Sequence, residues 1–275
     1  MTIAGRNRIL ILNMGITALL ALSGVLCIAF IFLKRLPAAL PVPPQSSVWL
    51  FKQPLFIYNH YAAAAGAAVF PLLSFGILIY TFFLFEKTHA LEISFFSSFI
   101  FALAFEPLRL LFVFQEHYPL TMIFSAPVAR TVFFFRFFAS FSLFTAGLFV
   151  HKTFTRQTET VFFIIGFVSF SLAQAIPVNT GRTLSHFLFS ETYFYLFYSC
   201  DGIICLLGVL SFVYVGVFRS IPEYRKAGLL LFILLAGYWL LLFTGAWFFV
   251  AGGTIVFFSA AILFVRTIHR FYLWQ

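Results

Sequence analysis

Between Gly228 and Val265 the chain runs for 38 residues without one charged side chain. A single helix of that length would measure about 57 Å, nearly twice the roughly 30 Å of hydrocarbon in a bilayer. The run therefore folds back on itself, and the natural turn is Ala251-Gly252-Gly253. Six further apolar stretches precede it, at 9–33, 61–85, 90–114, 128–150, 160–178 and 193–218. With the long run divided into 228–250 and 252–268, the sequence predicts an all-α, polytopic transmembrane helix bundle of eight spans, forming one integral membrane domain over 1–275. Open sheets are excluded because lipid offers backbone groups no outside partner.

Composition closes off the alternatives. Hydrophobic residues make up 63% of the 275 and charged residues 9%, against about 25% charged in a soluble domain. No soluble catalytic domain fits in what remains. The formal net charge of +9 is explained by topology rather than by nucleic acid, since no basic patch with interleaved aromatics lies outside the spans. With the amino terminus inside, ten basic residues fall on the cytoplasmic side: Arg6, Arg8, Lys87, Lys152, Arg156, Arg219, Arg225, Lys226, Arg266 and Arg270. Four fall opposite, Lys34, Arg35, Lys52 and Arg182. This positive-inside bias places both termini in the cytoplasm, and the compact loops suit a bacterial inner membrane. Arg6 and Arg8 precede an apolar run too long for a signal peptide, so the first span is expected to be retained.

The longest connection, 34–60, carries Pro37, Pro41, Pro43, Pro44 and Pro54, then Trp49, Phe51, Phe56 and Tyr58. It reads as an extended interfacial connector, with an outer lid or partner-docking segment as the other reading. Ala62–Ala65, Gly66, Ala67 and Ala68 give the second span a smooth face that a neighbouring backbone can approach closely. Packing within the chain is the first reading of that face and a homo-oligomer contact the second.

Ionisable groups inside a span cost roughly 2.5–3.5 kcal/mol each at mid-helix, so the few that are present stand out. Glu106 and Arg109 lie in the third span, Arg136 in the fourth and Asp201 in the sixth. At 1.5 Å per residue, Glu106, Arg136 and Asp201 each sit about 12 Å below the outer boundary. Charges of both signs at one depth can pair and remove most of each other's penalty. The third and fourth spans, joined by a short loop, put Glu106 opposite Arg136. Arg109 shares the Glu106 face, and Pro107 bends the helix between them. Nearer the outer surface lie Arg130, Gln174, Asn179, Arg182, His186 and Glu191, expected to line a polar vestibule opening outward. The cluster is either a salt-bridge staple fixing helix neighbours or a site for a small polar ligand whose anionic group Arg109 and Arg136 would take.

The remaining polar residues point to no chemistry. Glu92, near the cytoplasmic boundary, is expected to snorkel beside Lys87. His60, His89, His117, His151 and His269 fall at span ends without the three- or four-residue spacing of a metal pair, so no metal and no cofactor are expected. Cys27, Cys200 and Cys205 read as buried thiols. Ser185-His186 are adjacent and about 100° apart on a helix. No Gly-x-Ser-x-Gly elbow, His-Glu-x-x-His motif or phosphate-binding Gly-rich loop occurs. The sequence therefore predicts a non-enzymatic membrane protein that binds or transports a small polar ligand. A sensor or structural subunit of a membrane complex is the alternative, and an intramembrane enzyme the third reading.

Overall fold

The computed structural model describes residues 3–34, 56–86, 90–115, 122–150, 158–183, 189–191, 194–243 and 245–273. Most of the 34–60 connection, together with Lys87, His89, His117, His151, Lys152, Arg156 and His186, lies outside the described residues. Eight helical segments are long and apolar enough to cross a membrane. They comprise α1 (Ile3–Lys34), α2 (His60–Phe85), the pair α3 (Leu91–Leu103) and α4 (Leu111–Gln115), α5 (Met122–Phe149), α6 (Thr158–Ala175), α7 (Phe194–Phe218), α8 (Pro222–Phe243) and α9 (Trp247–Leu273). The chain is a multi-pass membrane helix bundle. Between α6 and α7 sits one short antiparallel pair, β1 (Val178–Thr183) and β2 (Phe189–Glu191), in which Val178 faces Glu191 and Asn179 faces Ser190.

The third and fourth spans form the centre. Of their apolar windows, 72% and 67% is buried inside the protein, against 22% for α1 and for α6, which lie at the periphery. α3 packs on α2 and α5, α5 packs on α6 and α7, and α8 joins α7 to α9, which returns to α2. The peripheral α1 lies along α2, where the Arg6 guanidinium donates to the carbonyl of Phe85 and the Asn7 amide to that of Glu86 at 3.0 Å.

Small residues set the closest helix approaches. A Cβ on Gly147 of α5 would stand 2.8 Å from the Gly208 carbonyl of α7, and one on Gly208 would stand 3.1 Å from the Leu143 carbonyl. The alanine face of α2 works the same way: Ala63, Ala64, Ala67 and Ala68 pack with Ile31 of α1 and with Leu110 and Val113 of the third span, so this chain covers the face itself.

The long apolar run turns elsewhere than the sequence suggests. α8 ends at Phe243 and α9 begins at Trp247, with Gly245 and Ala246 outside both helices, and Ala251, Gly252 and Gly253 lie inside α9. Gly253 faces the Gly237 carbonyl of α8, 3.2 Å from where its Cβ would be. Gly253 thus serves helix packing, the commoner use of small residues in membranes, whereas Gly252 faces open space. The actual turn uses Gly245, whose carbonyl accepts the Asn59 N–H at 2.7 Å and whose α-carbon lies against the Tyr58 ring with no room for a side chain. Asn59 in turn caps α2, its side chain accepting from Tyr61 N at 2.8 Å, as N-caps do.

Gly147→Val should separate α5 from α7 and destabilise the fold by about 1–3 kcal/mol, the usual range for overpacking. Gly166→Val, at a lipid-facing position with open space beside it, should leave stability unchanged. Thermal unfolding of both variants in detergent micelles checks this.

Candidate functional site

The site is built on a break in the third span. Pro107 has no N–H to donate, which frees a carbonyl one turn earlier. The backbone tightens instead: Phe105 N bonds the Ala102 carbonyl at 3.2 Å and Leu108 N the Phe105 carbonyl at 3.1 Å. Glu106–Leu110 is a 3₁₀ segment, whose three residues per turn eclipse side chains three apart. Arg109 therefore lies directly over Glu106, with Nε 3.7 Å from Oε2.

Across from the break, α5 presents Arg136. Its Nε donates to Glu106 Oε1 at 2.7 Å and its Nη2 to Oε2 at 2.9 Å, the paired geometry in which arginine binds a carboxylate most strongly. The third donor group, Nη1, reaches the Tyr198 hydroxyl of α7 at 2.8 Å. Arg109 Nη1 donates to the Leu242 carbonyl at 3.2 Å, one of the last carbonyls of α8, where the helix dipole favours a cation. Asp201 of α7 accepts from the Ser140 hydroxyl, one turn below Arg136 on α5. Ser140 also bonds the Arg136 carbonyl at 3.2 Å and accepts from Cys205 at 3.3 Å.

The four charged residues expected to share a level are thus brought together, each between 1% and 3% exposed. Glu106, Arg136 and Arg109 form one ion cluster. Asp201 makes no ion pair within 4 Å among the described residues and joins through Ser140. Phe105 and Phe135, the residues preceding Glu106 and Arg136, stack at 3.6 Å beside the pair. On the Arg109 side stands Tyr58, from the end of the long connection. Burial pushes its hydroxyl up to about 12, against the opposing pull of the Arg109 charge. Ser140, Tyr198 and the Leu242 carbonyl were not singled out from the sequence. A signal was present for two of them, since Ser140 follows Arg136 by four residues and Tyr198 precedes Asp201 by three, both same-face spacings.

The vestibule candidates separate from this cluster. Arg130 and Gln174 line a groove of ≈ 430 Å³ between α5 and α6, with Pro127, Thr131, Phe134 and Phe170. None of the four clustered charges lines this groove. The cause is azimuth: Arg130 and Arg136 are six residues apart, about 120° different in direction at 100° per residue. Asn179, Arg182 and Glu191 lie in the β1–β2 pair, which rests against the start of α5. His186 lies outside the described residues.

Two smaller expectations are corrected. Glu92 is 2% exposed rather than snorkelling. It accepts from Tyr224 of α8 at 3.1 Å and Tyr272 of α9 at 2.7 Å. Cys200 is exposed on α7, whereas Cys205 is buried. Among the described residues no group of three His, Cys, Asp or Glu side chains is placed to hold a metal.

No protein-family model matches the chain, and no solved structure matches it. A protein of Treponema pallidum (strain Nichols), described only as uncharacterized, is 28% identical over 346 aligned positions covering all of both chains.

Removing one partner of a buried ion pair strands the other, at a cost of about 3–5 kcal/mol. Glu106→Gln and Arg136→Met should each destabilise on that scale. The double variant should recover much of the loss, and Asp201→Asn, which keeps an acceptor for Ser140, should be milder. Detergent-resistant thermal unfolding of the set distinguishes these outcomes.

Proposed function

We propose that the chain is a non-enzymatic membrane protein that binds, and carries across the bilayer, a small ligand bearing a carboxylate or phosphate, taken in the groove between α5 and α6. The observation that carries this reading is Arg130. It makes no hydrogen bond or ion pair with any described residue, and its Nε is shielded within the groove. An unpaired cation in a span is costly, reaching about 2.5–3.5 kcal/mol at mid-helix and less toward the boundary where Arg130 lies, an expense that an incoming anion offsets. Gln174 beside it supplies both a donor and an acceptor. The buried Glu106–Arg109–Arg136–Asp201 cluster then acts as the staple that fixes α5 against the third span and α7, rather than as the ligand's contact.

The ten-to-four distribution of basic residues supports a cytoplasmic amino-terminal face, so that the groove opens in the outer leaflet. A bacterial inner membrane is the setting these compact loops suit best. The sealed ion cluster also favours a second reading, a structural or sensory subunit of a membrane complex whose partner supplies the output.

Succinate and inorganic phosphate serve as probes for purified protein. At least one of them should raise the unfolding temperature in proportion to its occupancy. Arg130→Gln should abolish the shift and Arg130→Lys should weaken it. Uptake of the active probe into proteoliposomes should follow the same order. A shift that survives Arg130→Gln, or the absence of any shift, overturns the reading in favour of the complex subunit.

A further inference from the structure

A second cavity, of ≈ 190 Å³, lies toward the amino-terminal ends of α1 and α3, walled by those helices together with α5 and α6. Its residues are ordered by depth. Arg6 lies nearest the amino-terminal end of α1, 4% exposed and donating to the Phe85 carbonyl. Asn13 on α1 and Ser97 on α3 follow, about 6–9 Å below the ends of their spans. Phe101 and Phe138 close the deep end, and Phe162 forms the α6 wall.

Asn13 is the informative member. The residue is 9% exposed and lines the cavity, and its amide makes no hydrogen bond with any described residue, only its backbone carbonyl being used, by Thr17. An amide that meets the cavity rather than another side chain leaves its donors and acceptor for whatever fills that space. Natural membrane helices place such groups where something else completes them.

The geometry points to a bound phospholipid of the leaflet on the amino-terminal side, with an ester carbonyl accepting from Asn13, the phosphate toward Arg6 and an acyl chain against Phe101 and Phe138. The sequence cation, amide and hydroxyl, then aromatic, repeats the order of phosphate, ester and hydrocarbon along a lipid. The volume fits as well: a cavity of about 150 Å³ accepts benzene, so this one takes the ester and first methylenes while the rest of the chain lies outside. Ile9, which lines the cavity, is 49% exposed and belongs to the peripheral α1, which leaves the opening facing lipid. The site is separate from the Arg130 groove and does not depend on the reading of that groove.

The test uses the full chain in vesicles of phosphatidylethanolamine and phosphatidylglycerol containing a trace of phosphatidylglycerol with a diazirine at mid-chain. After photolysis, the label should concentrate on Phe101, Phe138 and Phe162 over the lipid-facing Ile203 and Leu210 of α7. Asn13→Leu should reduce that labelling by about tenfold, the effect of one hydrogen bond in a membrane. Ser98→Leu, which fills the cavity from α3, provides the same test should Asn13→Leu fail to fold. Labelling equal to that of Ile203 and Leu210, or unchanged in the folded variants, overturns the assignment.

Discussion

The two parallel hydrogen bonds between Arg136 and Glu106 are the contact on which the rest of the bundle depends. They join the two most buried spans, in a medium where neither charge has water to fall back on. Everything nearby is arranged to complete them. Tyr198 takes the outer guanidinium nitrogen, Arg109 adds a second cation beside the carboxylate, and the end of α8 accepts from that cation in turn. Through these bonds α5, α7, α8 and the third span are tied at one level. A buried ion pair is weak evidence for stability as such. Here its value lies in selecting one arrangement of helices among many that would bury the same phenylalanines.

The division of labour between the two arginines of α5 follows from that. Arg136 is 2% exposed, and each of its three nitrogens already donates within the protein. Arg130, six residues earlier and turned to another face, is bordered by Gln174 and a groove. Placement on a common helix fixes their separation, so that the staple below holds the groove wall above. The free energy of the pair is thereby used at a distance from the groove that a ligand would occupy.

Much of this was legible in the sequence. Apolar runs of about twenty residues gave eight spans, and counting 1.5 Å per residue brought Glu106, Arg136 and Asp201 to one depth, where the structure joins them. Depth, however, is only one of three coordinates. Direction around the helix axis separated Arg130 from Arg136, and it let Ser140 rather than an arginine reach Asp201. Glu92 was misread because its partners, Tyr224 and Tyr272, are more than 130 residues away in sequence. Ala251-Gly252-Gly253 was misread as a turn because small residues serve both turns and close helix packing. Only the neighbour, here Gly237, tells which.

The 3₁₀ segment at Glu106–Leu110 does more than eclipse two side chains. It advances about 120° per residue where an α-helix advances about 100°, so five residues add roughly a quarter turn. The span that enters facing the large core around Phe95, Phe96 and Phe99 therefore leaves with Leu110 and Val113 against α1 and α2. Phe112 meanwhile turns toward Ala129 and Phe133 of α5. A uniform helix would offer a single stripe to the same neighbours along its whole length. This one keeps α2 and α5 beside it on both sides of the break but shifts the stripe it turns toward them, so its two halves answer to different packing demands.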